Sequence, residues 1–124
     1  MFNKAILIGR LVDAPQLRYT QQGVAVANFT LAVNRPFLDK GGERAADFID
    51  IATWRKLAET CANHLEKGRL VAVEGRIEVR SYDDSNGVRR KAFEVVASDV
   101  RFLDKPSKKN TTNDDGVEYD EVPF

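Results

Sequence analysis

The chain has 124 residues, in which 19 Lys and Arg balance 19 Asp and Glu, and 43% of the residues are hydrophobic. This composition suits one globular domain and is too apolar for a chain that is disordered throughout. No run of about 18 apolar residues marks a membrane span, and no signal-peptide cleavage region follows the N-terminus. The single cysteine excludes an internal disulfide and a cysteine-based zinc site. We therefore expect a soluble cytoplasmic protein that contacts no membrane and uses no metal or other cofactor.

The zero net charge hides an asymmetry between the body of the chain and its end. Residues 1–103 carry 16 Lys and Arg against 13 Asp and Glu, whereas residues 104–124 carry three against six. A mildly basic body followed by an acidic tail is compatible with an anionic partner, which an evenly neutral protein would not favour.

The composition also predicts the domain organisation. The last regular apolar segment ends near Leu103, so residues 1–103 are predicted to form the folded domain. Residues 104–116 hold no apolar residue except one proline and are predicted to be a disordered linker. Apolar side chains return at 117–124 on an acidic peptide, which suggests a tip that binds another protein. A solvated tail without a function fits this segment equally well.

Five segments of the body have the composition and periodicity of β-strands. They are Asn3–Val12, Val24–Arg35, Asp47–Arg55, Arg69–Tyr82 and Arg90–Leu103. The short segment Leu17–Thr20 lies between two turn signals and is not assigned a strand. Asp83–Gly87, which contains Asn-Gly, is predicted to be a hairpin turn, and a phase slip near Ala97-Ser98 predicts a β-bulge.

The alternation within these segments predicts which side chains face the core. In the second strand the core face carries Ala25, Ala27, Phe29, Leu31 and Val33. In the third it carries Ile49, Ile51 and Thr53, and in the fourth Val71, Val73, Ile77 and Val79.

One helix is predicted between the third and fourth strands. Leu57, Cys61 and Leu65 recur on one helical face, and Gly68 stands where a helix C-cap is expected. Five strands with a helix between the third and fourth are typical of the OB-fold, an all-β, five-stranded Greek-key barrel that commonly binds oligonucleotides and oligosaccharides.

Aromatic rings and cations share the strand faces that point away from the predicted core. This pattern suits single-stranded nucleic acid, because bases stack on rings while Arg and Lys contact phosphates. The candidate rings are Phe37, Phe48, Trp54 and Tyr82. The candidate cations are Arg35, Arg55, Lys56, Arg76, Arg80, Arg89, Arg90 and Lys91.

Other interpretations of these residues stay open. Any one ring would equally seal a second core or an oligomer interface, with the charges as a solvated rim, whereas four rings that are all flanked by Arg or Lys favour binding. An adaptor whose OB surface binds protein, or a protein that binds structured RNA, also fits the pattern. An enzyme is rejected. His64 is the only histidine and lies on the helix, and Cys61 lies on the apolar helix face with no second histidine to activate it. Asp13, Asp50 and Asp99 are scattered among different elements.

Several ordered motifs resemble the bacterial single-stranded DNA-binding protein family. They are residues 3–11, Asp13-Ala14-Pro15, Leu17-Arg18-Tyr19-Thr20, residues 23–32, Trp54-Arg55-Lys56-Leu57-Ala58-Glu59, Lys67-Gly68, Val73-Glu74-Gly75-Arg76-Ile77, Arg80-Ser81-Tyr82 and the ending Asp120-Glu121-Val122-Pro123-Phe124.

The resemblance implies an OB-fold homotetramer that wraps single-stranded DNA during replication, recombination and repair. It places the family's stacking rings at the same four positions, Phe37, Phe48, Trp54 and Tyr82. It also implies that Asp120, Glu121, Val122, Pro123 and Phe124 recruit other genome-maintenance proteins, and that the protein associates with the nucleoid.

Overall fold

Six strands and one helix follow one another in the computed structural model, which describes residues 1–38 and 40–104. The elements are β1 (Ala5–Leu11), β2 (Gln16–Tyr19), β3 (Ala25–Leu38), β4 (Arg44–Trp54), α1 (Arg55–His64), β5 (Leu70–Asp83) and β6 (Arg89–Phe102). The linker beyond residue 104 and the tip at 117–124 lie outside the described residues.

The strands form a closed barrel. Their order is β1-β5-β6-β4-β3-β2, and pairing of Arg10 with Ala32 and of Leu11 with Leu31 joins β1 to β3 and closes the ring. All pairings are antiparallel except β4 with β6. This is the connectivity of a five-stranded OB barrel, so the predicted fold class is confirmed.

The sixth strand, β2, is absent from the prediction. It pairs with β3 from Gln16 opposite Asn28 to Tyr19 opposite Ala25, and β1 pairs further along the same strand. Thus β1 and β2 share one position in the barrel and are separated by the turn around Pro15. All four side chains of β2 are exposed. Its formation therefore depends on backbone pairing with β3, and its sequence has no apolar alternation from which a strand could be predicted.

The barrel core contains the side chains that alternation predicted for β3 and β4. Phe29, Leu31, Ile51 and Thr53 are buried, and the Thr53 hydroxyl donates to the carbonyl of Ala27 at 2.9 Å. The helix covers one end of the barrel with Cys61 and Leu65 in the main core, while Ala58 packs against alanines of β3.

The predicted end of the helix is wrong. The helix stops at His64, and Leu65 is the C-cap, with its N–H bonded to the carbonyl of Cys61. Gly68 lies in the following turn with φ +88°, where its N–H donates to the carbonyl of Leu11 at 2.9 Å. A left-handed conformation favours glycine at this position. Gly68 thus belongs to the turn that joins the helix to β5 and is not the helix C-cap.

Beyond the barrel wall, β5 and β6 continue as a two-stranded hairpin arm, residues 78–94. The predicted hairpin turn is confirmed: the Asp84 carboxylate accepts the backbone N–H groups of Asn86 and Val88. The prediction that Ile77 and Val79 are core residues is wrong, since they are 44% and 50% exposed. They have the core-facing parity, but they lie at or past the barrel rim, where the described chain covers them only in part.

The predicted bulge near Ala97-Ser98 is confirmed. Glu74 pairs with Asp99 and Gly75 pairs with Ala97, which leaves Ser98 as an extra residue in β6. The Ser98 hydroxyl donates to the carbonyl of Glu74 at 3.0 Å. The bulge lies in the barrel wall, next to the residues of β6 that pair with β4, and a bulge of this kind bends the strand that carries it.

Candidate nucleic-acid interface

The outer face of β4 presents two large rings to solvent. Phe48 is 68% exposed and Trp54 is 42% exposed, with Asp50 and Ala52 between them on the same face. We call these four residues the aromatic face. Six residues at roughly 3.3 Å each separate the two rings by about 20 Å along the strand. The strand's other face is in the core, so the rings have rigid backbone support.

The neighbouring strand leaves these rings uncovered. Ala32 of β3 lies opposite Phe48, and Val26 lies opposite Trp54. Both side chains are smaller than the rings opposite them, and Val26 and Ala52 are themselves buried, while both rings remain exposed. This arrangement allows planar ligands to stack on both rings.

Tyr82 belongs to the same side of the sheet through its strand register. Ala52 of β4 pairs with Val96 of β6, which pairs with Arg76 of β5. Alternation along β5 then gives Arg80 and Tyr82 the same outward parity as Arg76. Tyr82 is exposed near the tip of the hairpin arm, opposite Arg90.

Phe37 occupies an irregular part of β3. The β3–β4 register shifts between Asn34, opposite Ala46, and Leu38, opposite Arg44, so β3 holds two extra residues there. Phe37 lies within this stretch and is exposed. The strand register relates Tyr82 to the aromatic face, but it does not do so for Phe37. That Phe37 shares a surface with the other rings stays a prediction.

Most of the predicted cations are already paired with carboxylates. Five arginines form ion pairs: Arg35 with Asp47, Arg76 with Glu78, Arg80 with Glu94, Arg89 with Asp83, and Arg90 with Asp84. The pairs of Arg35, Arg76 and Arg89 are exposed on both sides, and exposed pairs are worth little, so a phosphate could displace these carboxylates at small cost. The carboxylates of Glu94 and Asp84 are only 20% exposed.

Two of these pairs shift the ionisation of their carboxylates. Hydrogen bonding to Arg35 holds the pKa of Asp47 below its ordinary value. The Asp84 pKa is lowered chiefly by Arg90, and then by the backbone N–H of Val88. Both carboxylates therefore stay ionised at neutral pH and partly neutralise the cations beside them.

Three other predicted cations have no carboxylate partner in the part of the chain that the structure describes. They are Arg55, Lys56 and Lys91. Arg55 and Lys56 directly follow Trp54 in the first turn of α1, and Arg55 has a left-handed φ of +62°. A non-glycine residue in this conformation costs about 1–2 kcal/mol, and here it turns the chain from strand to helix.

A groove of about 530 Å³ runs beside the aromatic face. Its lining includes Asn28 and Thr30 of β3, Asp50 of β4, and Arg80 and Glu94 of the hairpin arm. The Thr30 hydroxyl donates to the Asp50 carboxylate at 2.9 Å. Asn28 and Thr30 are candidate residues that sequence reasoning missed. The signal was their alternation with the core residues of β3.

The groups with catalytic potential are not gathered into a site. Burial raises the pKa of the Cys61 thiol to about 11, so the thiol stays protonated. His64 is exposed, and its Nδ1 lies 2.9 Å from the carbonyl of Thr60. Among residues 1–38 and 40–104, no three His, Cys, Asp or Glu side chains are placed to hold a metal ion. The ten-residue α1 and the rest of the described chain include no helix that could span a bilayer.

Comparison with known proteins matches this barrel to one family. The sequence model of the Single-strand binding protein family matches residues 2–103. The "Single-stranded DNA-binding protein" of Caldanaerobacter subterraneus subsp. tengcongensis is 61% identical over 107 residues, covering 86% of this chain and 71% of that protein.

Two further relatives show the same likeness. The "Single-stranded DNA-binding protein" of Halalkalibacterium halodurans is 58% identical over 84% of this chain and 62% of its own length. The "Single-stranded DNA-binding protein A" of Bacillus subtilis is 52% identical over 84% of this chain and 60% of its own length. The matched segment thus spans less than two thirds of either relative. With a family match that covers the whole barrel, the chain belongs to the single-strand binding protein family.

Proposed function

We propose that the protein binds single-stranded DNA without dependence on sequence and thereby protects it. The observation that carries the proposal is the aromatic face, where Phe48 and Trp54 project from one rigid strand. Membership of the single-strand binding protein family and the names of the relatives support it. The proposal makes the protein a binding module without a catalytic role.

Stacking explains why such a surface tolerates any sequence. Every base has a flat π-face, and stacking on an aromatic side chain contributes about 1–3 kcal/mol per base. In a duplex the bases are already stacked and paired, so no base face is free to stack on these rings. The cations Arg55, Lys56 and Lys91 would contact phosphates directly, while the paired arginines would exchange a carboxylate for a phosphate.

We also propose that the protein acts as a homotetramer. Residues Ala5–Gly9 of β1 pair with β5 along one edge, and within the described chain no strand pairs with their other edge. Ile6, 69% exposed, and the less exposed Ile8 add apolar surface beside that edge. An open edge with apolar neighbours favours pairing with a second copy. Several modest binding surfaces on one strand would then gain affinity through effective concentration.

The wider roles of the protein belong to the same proposal. We expect it to act in DNA replication, recombination and repair, in the cytoplasm and associated with the nucleoid. Residues Asp120–Phe124 would recruit genome-maintenance proteins, because a short acidic peptide with apolar side chains suits a basic pocket with an apolar floor. The support is the opposite charge of body and tail together with the family membership.

A fluorescence titration tests the central claim. Trp54 is the only tryptophan, so its emission reports on the aromatic face alone. We expect oligo-dT to quench it, with affinity that falls as salt rises, while a duplex of equal length leaves it unchanged. Absence of both quenching and binding by oligo-dT would refute single-strand binding and favour a protein-binding adaptor.

A further inference from the structure

A carboxylate lies in the middle of the aromatic face, where a surface that binds a polyanion would be expected to avoid negative charge. Asp50 is exposed and lies two residues from Phe48 and four from Trp54 on the same side of β4, about 7 Å and 13 Å along the strand. A phosphate beside Asp50 would be repelled by its negative charge, whereas a base edge with N–H donors could hydrogen-bond to it.

Asp50 differs from the three carboxylates that hold candidate cations. In the described part of the chain Asp50 forms no ion pair, whereas Asp47, Glu94 and Asp84 each hold an arginine. Asp13, which lines the same groove, is in none of the ion pairs of the described chain either, but it lies in the turn after β1 and accepts the N–H of Ala14. Arg80 lines the same groove, yet its guanidinium lies 3.7 Å from Glu94. The Asp50 carboxylate thus keeps its acceptor capacity for a ligand.

Thr30 fixes the orientation of this carboxylate. Thr30 pairs with Asp50 across the β3–β4 ladder, and its hydroxyl donates to Oδ1 at 2.9 Å. A carboxylate has about four acceptor positions, so one hydrogen bond leaves most of them available. The open groove of about 530 Å³ beside Asp50 gives a base edge access to them.

We propose that Asp50 selects, at the site between the two rings, bases that carry an exocyclic amino group, and that it disfavours thymine. The inference rests on the proposed single-strand binding. Cytosine, adenine and guanine offer N–H₂ donors on their pairing edges, and carboxylates accept from the cytosine amino group in known complexes. Thymine offers one N–H between two carbonyl oxygens, and those oxygens repel a carboxylate. Binding by stacking remains general, with a base preference superimposed at one position.

The test compares oligo-dC with oligo-dT of equal length on the full chain, for the natural protein and for Asp50→Asn. The readout is the ratio Kd(dT)/Kd(dC), because removing a negative charge tightens binding to both oligonucleotides alike. We expect Asp50→Asn to lower this ratio at least about fivefold, the low end of the discrimination given by a specific base contact. The asparagine keeps an acceptor for Thr30 but can also donate to thymine.

Glu94→Gln is the matched control, because it removes the same charge from the same groove at a side chain that is only 20% exposed and so offers a base little access, whereas Asp50 is exposed. Its ratio should stay at that of the natural protein. An unchanged ratio in Asp50→Asn with binding intact, or an equal fall in both variants, would overturn the base preference alone. Failure of the natural protein to bind either oligonucleotide would instead overturn the proposed function.

Discussion

Arg69 and Asp104 form an ion pair that fastens the end of the last strand to the base of the barrel. Arg69 is only 6% exposed, and its Nε lies 2.8 Å from Oδ1 of Asp104. The same guanidinium donates to the carbonyl of His64 at the end of α1 and to the backbone carbonyl of Asp104. Oδ2 of Asp104 accepts the N–H of Leu70. One buried cation thus joins the end of α1, the start of β5 and Asp104, two residues beyond β6.

Replacing Arg69 by alanine should destabilise the domain by about 3 kcal/mol. The substitution leaves Oδ1 of the partly buried Asp104 and the helix carbonyl of His64 without their Arg69 donor, while Oδ2 keeps the N–H of Leu70. Removal of one partner of a buried pair is costly. Urea unfolding at pH 7 measures the change. Arg89→Ala, which breaks the exposed pair with Asp83, is the control and should cost at most about 1 kcal/mol. Equal losses in the two variants would show that the buried pair adds nothing to stability.

Replacing Phe48 by alanine should weaken binding of oligo-dT by about 1–3 kcal/mol, since one stacking platform is lost. Phe93→Ala is a close control, because Phe93 is 63% exposed but has the opposite, core-facing parity on the hairpin arm. It should change the affinity for oligo-dT little. Equilibrium titration with oligo-dT measures the affinity of both variants. If Phe93→Ala weakens binding as much as Phe48→Ala, DNA does not bind preferentially to the outer face.

Replacing Gly75 by alanine should disturb the pairing of β5 with β6 at the bulge in the barrel wall. A Cβ at Gly75 would collide with the carbonyl oxygen of Val96 and approach the Cα of Ala97 at 2.8 Å. Both obstacles are backbone atoms, so we expect a loss of about 1–3 kcal/mol in thermal or urea unfolding. Ser98→Ala removes one exposed hydrogen bond at the same bulge and should cost less. A stable Gly75→Ala domain would mean that the two strands separate there easily.

The Cys61 thiol should resist alkylation in the folded protein at pH 8 and react at once in urea. Its pKa is raised to about 11 from an ordinary value of 9.0, because burial disfavours the thiolate. The unfolded thiol loses its proton more readily, so this group makes the folded state less stable as pH rises from about 9 to about 11. Iodoacetamide labelling followed by mass spectrometry gives the readout. Rapid labelling of the native protein would contradict the buried placement.

Much of the fold could be predicted because its signals are local. Alternation in β3 and β4 revealed their core faces, the Asn-Gly pair located the hairpin turn, and the phase slip located the bulge at Ser98. The failures come from information that periodicity does not contain. The side chains of β2 are all exposed, so only its pairing with β3 makes it a strand. Alternation gave Val79 the correct face but could not reveal that the barrel ends before it.

The candidate site could be predicted in part for the same reason. Strand parity alone places Phe48 and Trp54 on an outer face, and the structure exposes both rings. The ion pair between Arg35 and Asp47 depends on which residues of β3 and β4 stand side by side. The contact between Thr30 and Asp50 has the same dependence. Such cross-strand relationships follow from the register, which the sequence of either strand alone does not reveal.

The salt dependence of DNA binding should identify which cations contact phosphates. For single strands each neutralised phosphate contributes about −0.7 to the slope of log K against log salt. Lys56 follows the aromatic face and has no carboxylate partner in the described chain, so Lys56→Ala should reduce the magnitude of the slope by about 0.7. Arg101→Ala is the control, since Arg101 pairs with Asp99 and lies away from the aromatic face. A slope that is unchanged in Lys56→Ala, or lowered equally in both variants, would show that no phosphate sits beside the start of α1.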